Sequence, residues 1–164
     1  MNSPFASLFL DLQAHIEIEV PEVTYIEQDL GQLGSDDPRK MMSFPAVLLD
    51  FPETEFSNLQ GKNQMALPVL SVILVMDTYS QTYNLAPLEV RKLGLEYLEL
   101  EQKLYMAIAS WESDYCELLV RKSAKGLNRN DVGLRVRELI FTSSFEDYSL
   151  GDNTPGYKLN LKTE

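Results

Sequence analysis

Cysteine and histidine each occur once in these 164 residues, as Cys116 and His15, and tryptophan once, as Trp111. A lone cysteine excludes an intrachain disulfide, a cysteine-rich zinc site and a CxxC redox pair. A lone histidine confines any histidine-bearing triad to the amino-terminal stretch. The glycine-rich phosphate loops are missing as well: the chain has no GxxxxGK[ST] or GxGxxG string, and no HExxH, EF-hand loop or GxSxG. Gly31 and Gly34 form a bare GxxG that reads as a turn. Long apolar runs are also absent; the richest, residues 65–76, has about half the length a membrane-spanning helix needs. The opening MNSPFASLFLDLQAHIEIE has no basic segment and breaks its apolar run at Asp11, so it does not read as a signal peptide. The expectation is a soluble protein of a reducing compartment with no membrane partner, no cofactor, and neither a catalytic nor a metal site.

Basic charge is scarce. Fourteen Lys and Arg face 25 Asp and Glu, giving a net charge of −11 and a pI near 4.5. A broad grip on duplex DNA needs a basic footprint, so nucleic-acid contact is not expected. The charges are segregated, however. Residues 1–60 carry −9 and residues 61–120 carry −4, whereas residues 121–137 carry +5 and residues 138–164 return to −3. The basic stretch consists of Arg121, Lys122, Lys125, Arg129, Arg135 and Arg137 against Asp131 alone. Its proximity to so much acid suits charge-complementary association between copies, or between this protein and another, and these six residues are the candidate intersubunit interface.

Hydrophobic residues make up 45% of the chain and charged ones 24%, the balance of a globular domain. Ser3 and Pro4 suit the cap and first turn of a helix whose apolar stripe is Phe5, Leu8, Phe9, Leu12 and Ile16, ended by Pro21. His15 lies at the edge of this stripe and reads as a boundary residue. Residues 22–30 alternate weakly as a strand, and QLGSDDPRK is a loop. FPAVLLDF (44–51) is a short apolar strand, after which 52–63 reads as an exposed connection, with a short edge strand conceivable near 55–59. Asp50, Glu53 and Glu55 put three carboxylates in six residues, but no histidine or further acidic cluster accompanies them to make a metal site.

ALPVLSVILVM (66–76) is the strongest strand, and its near-continuous hydrophobicity predicts a central position covered on both faces. A long helix follows from about Pro87, capped by Asn84 or the residue before it. Leu88, Leu95, Leu98, Leu104, Ile108 and Trp111 form its expected buried face, aided by Leu85 and residues 90–93, and Glu89, Glu96, Glu99, Glu101 and Lys103 its wet one. Gly94 weighs against an uninterrupted rod. CELLVRKS either finishes the helix or forms a strand, its alternation favouring the strand, and Cys116 reads as a buried free thiol. VGLRVRELIFTSSF reads as another strand whose change of phase calls for a β-bulge near Glu138. The order α-β-β-β-α-β-β predicts an α+β fold, a two-layer, mostly antiparallel sheet packed against one long helix plus an N-terminal helix. Residues 1–147 form the expected single domain, and 148–164 a lightly packed polar tail.

This order resembles that of the phage tail terminator and tail-completion (head–tail joining) proteins, including those encoded in prophages of gut bacteria. The resemblance rests on EVTYIEQDLGQL (22–33), FPAVLLDF (44–51) and LPVLSVILVMD (67–77), then the helix from Leu88, ELLVRKS (117–123) and VRELIFTSSFED (136–147). The long acidic amino-terminal region and the polar carboxy-terminal tail depart from it. The resemblance implies a non-enzymatic structural protein that forms a homo-oligomeric ring, with a hexamer as the candidate size. The ring would cap the head-proximal end of the tail tube, with the tail-tube protein and a head-completion or connector protein as partners. Its place would be the virion tail or the head–tail neck, reached through the host cytoplasm during assembly. The alternatives are a head–tail connector of the same general fold and a small soluble enzyme.

Overall fold

A computed structural model describes residues 3–150, so the tail expected at 148–164 lies outside the described residues from 151 onward. Helix α1 (Pro4–Glu19) begins where the side chain of Ser3 accepts a hydrogen bond from the Ala6 amide at 3.4 Å. It ends at Val20, before Pro21, and buries Leu8, Leu12 and Ile16, so the stripe expected from periodicity faces the core. Strands β1 (Tyr25–Gln28), β2 (Ala46–Asn58) and β3 (Gln64–Met76) follow. Then come helix α2 (Leu88–Ala109) and strands β4 (Val120–Gly126), β5 (Arg135–Thr142) and β6 (Phe145–Asp147). The strand order is β1-β2-β3-β5-β4, with β6 alongside β3, and every pairing is antiparallel except the parallel β1–β2. The fold is therefore α+β, a mostly antiparallel sheet packed against the long α2 and the N-terminal α1.

The sheet buries both faces, and side-chain alternation sorts its residues between them. Toward the helices point Val47 and Leu49 of β2, Leu70, Val72 and Leu74 of β3, and Leu139 and Phe141 of β5, packed on Leu12, Leu104 and Ile108. Away from them point Ala46, Leu48, Ile73, Val75 and Val136, covered by Met42 and Leu134 from the connecting segments. This double covering accounts for the unbroken hydrophobicity of β3.

Five sequence expectations need correction. The exposed connection expected at 52–63 is mostly strand, because β2 continues to Asn58 after a register shift between Asp50 and Glu53. Pro52 falls within that shift, where its missing N–H costs no ladder bond. No bulge occurs at Glu138, where β5 pairs with β3 in unbroken register from Arg135 to Thr142. Its apparent change of phase arises because Val136 serves the far core and Leu139 and Phe141 serve the helix-side core. The irregularity lies on β4, between Arg121 and Ser123. The cap of α2 is Pro87, not Asn84, and it makes no side-chain capping hydrogen bond.

The fourth correction concerns the buried face of α2. Only its C-terminal half is buried, through Leu100, Glu101, Leu104, Ala107 and Ile108. Leu88, Leu95 and Leu98 are 56%, 44% and 39% exposed, and Leu85 and Leu93, also expected on that face, are exposed too. Glu101, expected on the wet face, is buried. Fifth, Gly94 does not break the helix. A Cβ there would come within 2.5 Å of Thr82 Cγ2 and 3.0 Å of the Ser80 carbonyl, so glycine lets the 78–84 loop lie directly on the helix. Ser80 secures the contact by donating its hydroxyl to the Val90 carbonyl at 2.9 Å.

Candidate assembly surface

The six basic residues expected at an interface fall on β4, β5 and the loop between them, at one margin of the sheet. Arg121 points to the helix side and stacks its guanidinium 3.5 Å from the ring centre of Tyr105. Lys125 points to the other side, 2.9 Å from Glu138 on the paired strand. Arg135 lies about 6 Å from the rings of Tyr79 and Tyr97 (6.0 and 5.9 Å). Arg137 forms a two-point ion pair with Glu101 of α2, Nη2 standing 3.2 Å from Oε1. Arg129 pairs with Asp131 at 2.7 Å and also donates to the Leu33 carbonyl. Lys122, exposed in the β4 irregularity, has no ion pair among the described residues.

These contacts divide the set. Arg129 and Arg137 tie the loop and β5 to distant parts of the chain, and each guanidinium is held above its ordinary value by the carboxylate it bonds. Lys122 and Lys125 keep their ammonium groups at the surface; Lys125 is 61% exposed despite its partner. Asp131 is correspondingly held below the ordinary carboxylate range by the hydrogen bonds from Arg129.

A second surface was not anticipated. Leu88, Leu93, Leu95 and Leu98 on the first half of α2 are exposed, together with Leu85 at 82% and Tyr79 at 75% on the preceding loop. The signal was present in the sequence, since α2 has more leucine than one buried face can hold. Which leucines would remain outside depended on where the sheet ends.

The remaining chemistry is sparse. His15 donates from Nε2 to the Ala107 carbonyl at 3.0 Å and stacks on Trp111, so it fastens α1 to the end of α2. Cys116 is half-buried, and desolvation raises its thiol pKa above the ordinary value. Trp111 is buried and Tyr115 exposed, both beyond the end of α2, so their spacing of four does not place them on one helical face. A groove of about 520 Å³ is lined by Phe5, Phe9, Leu49 and Phe51, with Asp29 and Asp50 as its acids. No cluster of three or more His, Cys, Asp or Glu among the described residues is arranged to hold a metal, and Asp50, Glu53 and Glu55 form none. No described helix is long and apolar enough to cross a membrane.

The fold is similar to that of a chain in the virion of a native gene transfer agent particle. The two superpose with a TM-score of 0.53 at 10% sequence identity, over 88% of this chain and 98% of that one. At that identity the likeness is one of fold. No protein-family model matches the chain, and no curated protein matches its sequence.

Proposed function

We propose that this protein is a structural component of a phage-like particle, a homo-oligomeric ring that closes the head-proximal end of the tail tube and joins it to the head. The observation that carries the reading is the fold likeness along nearly the whole of a chain from a gene-transfer-agent virion. The surface agrees with it. Exposed apolar residues gathered on one helix and its preceding loop are the chemistry of a protein contact rather than of a solvated face. The basic margin formed by Arg121, Lys122, Lys125, Arg129, Arg135 and Arg137 is the proposed intersubunit surface. Within it, Lys122 and Lys125 present charge to a neighbour, while Arg129 and Arg137 fix the backbone behind them.

A ring requires a heterologous contact whose rotation closes, since one that does not close gives an unlimited filament. The expected partners are the tail-tube protein on one side and a head-completion or connector protein on the other, in the head–tail neck of the virion after assembly in the host cytoplasm. The test is co-assembly of the full chain with the tail-tube protein encoded nearby, followed by electron microscopy of tube ends and lengths. Capped tubes of limited length are the expected result. Uncapped tubes of unlimited length, with this protein sedimenting apart from them, would overturn the reading.

A further inference from the structure

Among the described residues the sheet has two open edges, and they carry opposite charge. At one margin β1 covers β2 only over Ala46–Leu49, so from residue 50 to 58 the outer edge of β2 has no strand beside it among the described residues. The charged side chains on that stretch are Asp50, Glu53 and Glu55, all exposed. At the other margin β4 ends the strand order, and its exposed charged side chains are Lys122 and Lys125. An open edge presents a row of unpaired N–H and C=O groups ready to pair with another chain.

We propose that β4 of one copy pairs with the free stretch of β2 of the next copy, continuing the sheet from subunit to subunit. This deepens the ring reading and rests on it, and three features of the fold support it.

The first is direction. β2 is antiparallel to β3, β3 to β5 and β5 to β4, so β4 runs opposite to β2. Copies related by rotation about a ring axis keep one orientation relative to that axis, and their β4 and β2 therefore meet antiparallel.

The second is facing. Ser123 and Lys125 pair with Ile140 and Glu138, which lie opposite Ser71 and Ile73 on the face away from the helices. Glu53 and Glu55 pair with Val69 and Leu67, on that same face of β3. A sheet continued with its faces preserved thus sets lysine beside glutamate. Pairing of β4 with a second β4 would set lysine beside lysine, which destabilises a ladder and disfavours the symmetric dimer that would block a ring.

The third is stagger. Val120 lies level with Thr142, Val69 and Glu53 across the sheet, and Gly126 with Arg137, Leu74 and Val47. A neighbour docked at the same level would collide with β1. To reach the free stretch with its faces preserved it must slide by an even number of residues, about four to six, roughly 14–20 Å along the strands. A stagger of constant sign is what a sheet needs in order to close on itself.

The test joins the two edges covalently in the full chain. In a Cys116→Ser background, Glu55→Cys and Ser123→Cys are combined, with Glu55→Cys and Lys125→Cys covering the register two residues along. Within one chain these positions are three strand spacings apart, roughly 14 Å and beyond disulfide reach, so any bridge joins two copies. Oxidation should give a ladder of covalent multimers ending at one closed size, while each single-cysteine chain gives dimers at most. Monomer alone from both double variants, or dimers dominated by Ser123→Cys paired with itself, would overturn the proposal. An independent arm uses charge. Lys122→Glu with Lys125→Glu should weaken self-association in sedimentation about tenfold, and adding Glu53→Lys with Glu55→Lys should restore it; failure to restore would count against the pairing. Tubes capped without cross-linking would sink the edge pairing and leave the ring reading standing. A closed covalent ladder that caps no tube would sink the tube-capping role and leave the edge pairing standing.

Discussion

The carboxylate of Glu101, on the buried face of α2, is clasped by the guanidinium of Arg137 from β5, one strand away from the centre of the sheet. The two side chains are 10% and 24% exposed, so the pair is largely withdrawn from water. Removing one partner strands the other charge. Glu101→Ala should cost about 2–4 kcal/mol of stability in urea denaturation. Glu101→Gln, which keeps an acceptor for Arg137, should cost less. Replacing both by apolar residues of similar size should be nearly neutral, because the desolvation penalty goes with the pair. Equal losses from the single and double replacements would show that the ion pair is not what matters at this position.

Gly94 offers a test with an unusual sign. Glycine to alanine in an exposed helix interior ordinarily stabilises by about 1 kcal/mol. Here the new methyl meets Thr82 Cγ2 and the Ser80 carbonyl, so Gly94→Ala should be neutral or destabilising and should speed proteolysis of the 78–84 loop. Combining it with Thr82→Ser removes the closest clash and should recover part of the lost stability.

Cys116 should be a slow thiol. Burial raises its pKa above the ordinary value, which reduces the thiolate fraction at neutral pH, and only the thiolate attacks. Labelling by an alkylating reagent should lag well behind that of a free cysteine under native conditions and match it in urea. Fast native labelling would contradict the burial.

The pH dependence follows from Glu22. Hydrogen bonds from Lys103, at 2.7 and 2.8 Å, hold its carboxyl below the ordinary carboxylate range. A carboxyl depressed on folding contributes stability that is present above its unfolded pKa and lost as pH falls through the folded one. The Tm advantage of the native chain over Lys103→Met should therefore be small but measurable at neutral pH, begin to fall as the pH drops through the ordinary glutamate range, and vanish only once the carboxyl is protonated in the folded chain as well. High salt should shrink it as well, because both groups are at the surface.

The fold was largely legible because its signals are local. Ser3-Pro4 starts α1, Pro21 follows its end, and β-branched residues mark β3. What the sequence concealed depended on partners far along the chain. The phase change in β5 reads as a bulge until Leu134 and Met42 are seen covering the other face. Glu101 reads as wet until Arg137, 36 residues on, is seen beside it. For the basic stretch, composition located the margin but not how its charges are divided. Of the six, only Arg129 has its ion-pair partner within two residues; Tyr105, Tyr97 and Glu101 arrive from α2. Periodicity can show that α2 has an apolar face, but not where along its length the sheet stops covering it.

That boundary gives the last prediction. Leu88 and Leu95 share the helix and side-chain type of Leu104, yet they are 56% and 44% exposed, whereas Leu104 is fully buried against the sheet. Helix propensity barely distinguishes leucine from glutamine, so at the exposed sites the substitution tests burial almost alone. Leu88→Gln and Leu95→Gln should each change the stability of the isolated chain by no more than about 0.5 kcal/mol. Leu104→Ala should cost about 2–5 kcal/mol, because it opens a cavity between α2 and the sheet that the packed strands cannot collapse to fill. Denaturant midpoints measured on dilute protein decide the matter, dilution keeping self-association out of the comparison. A large loss at Leu88 or Leu95 would mean that the first half of α2 is covered within the monomer, and its exposed leucines could then no longer be counted as contact surface for another chain.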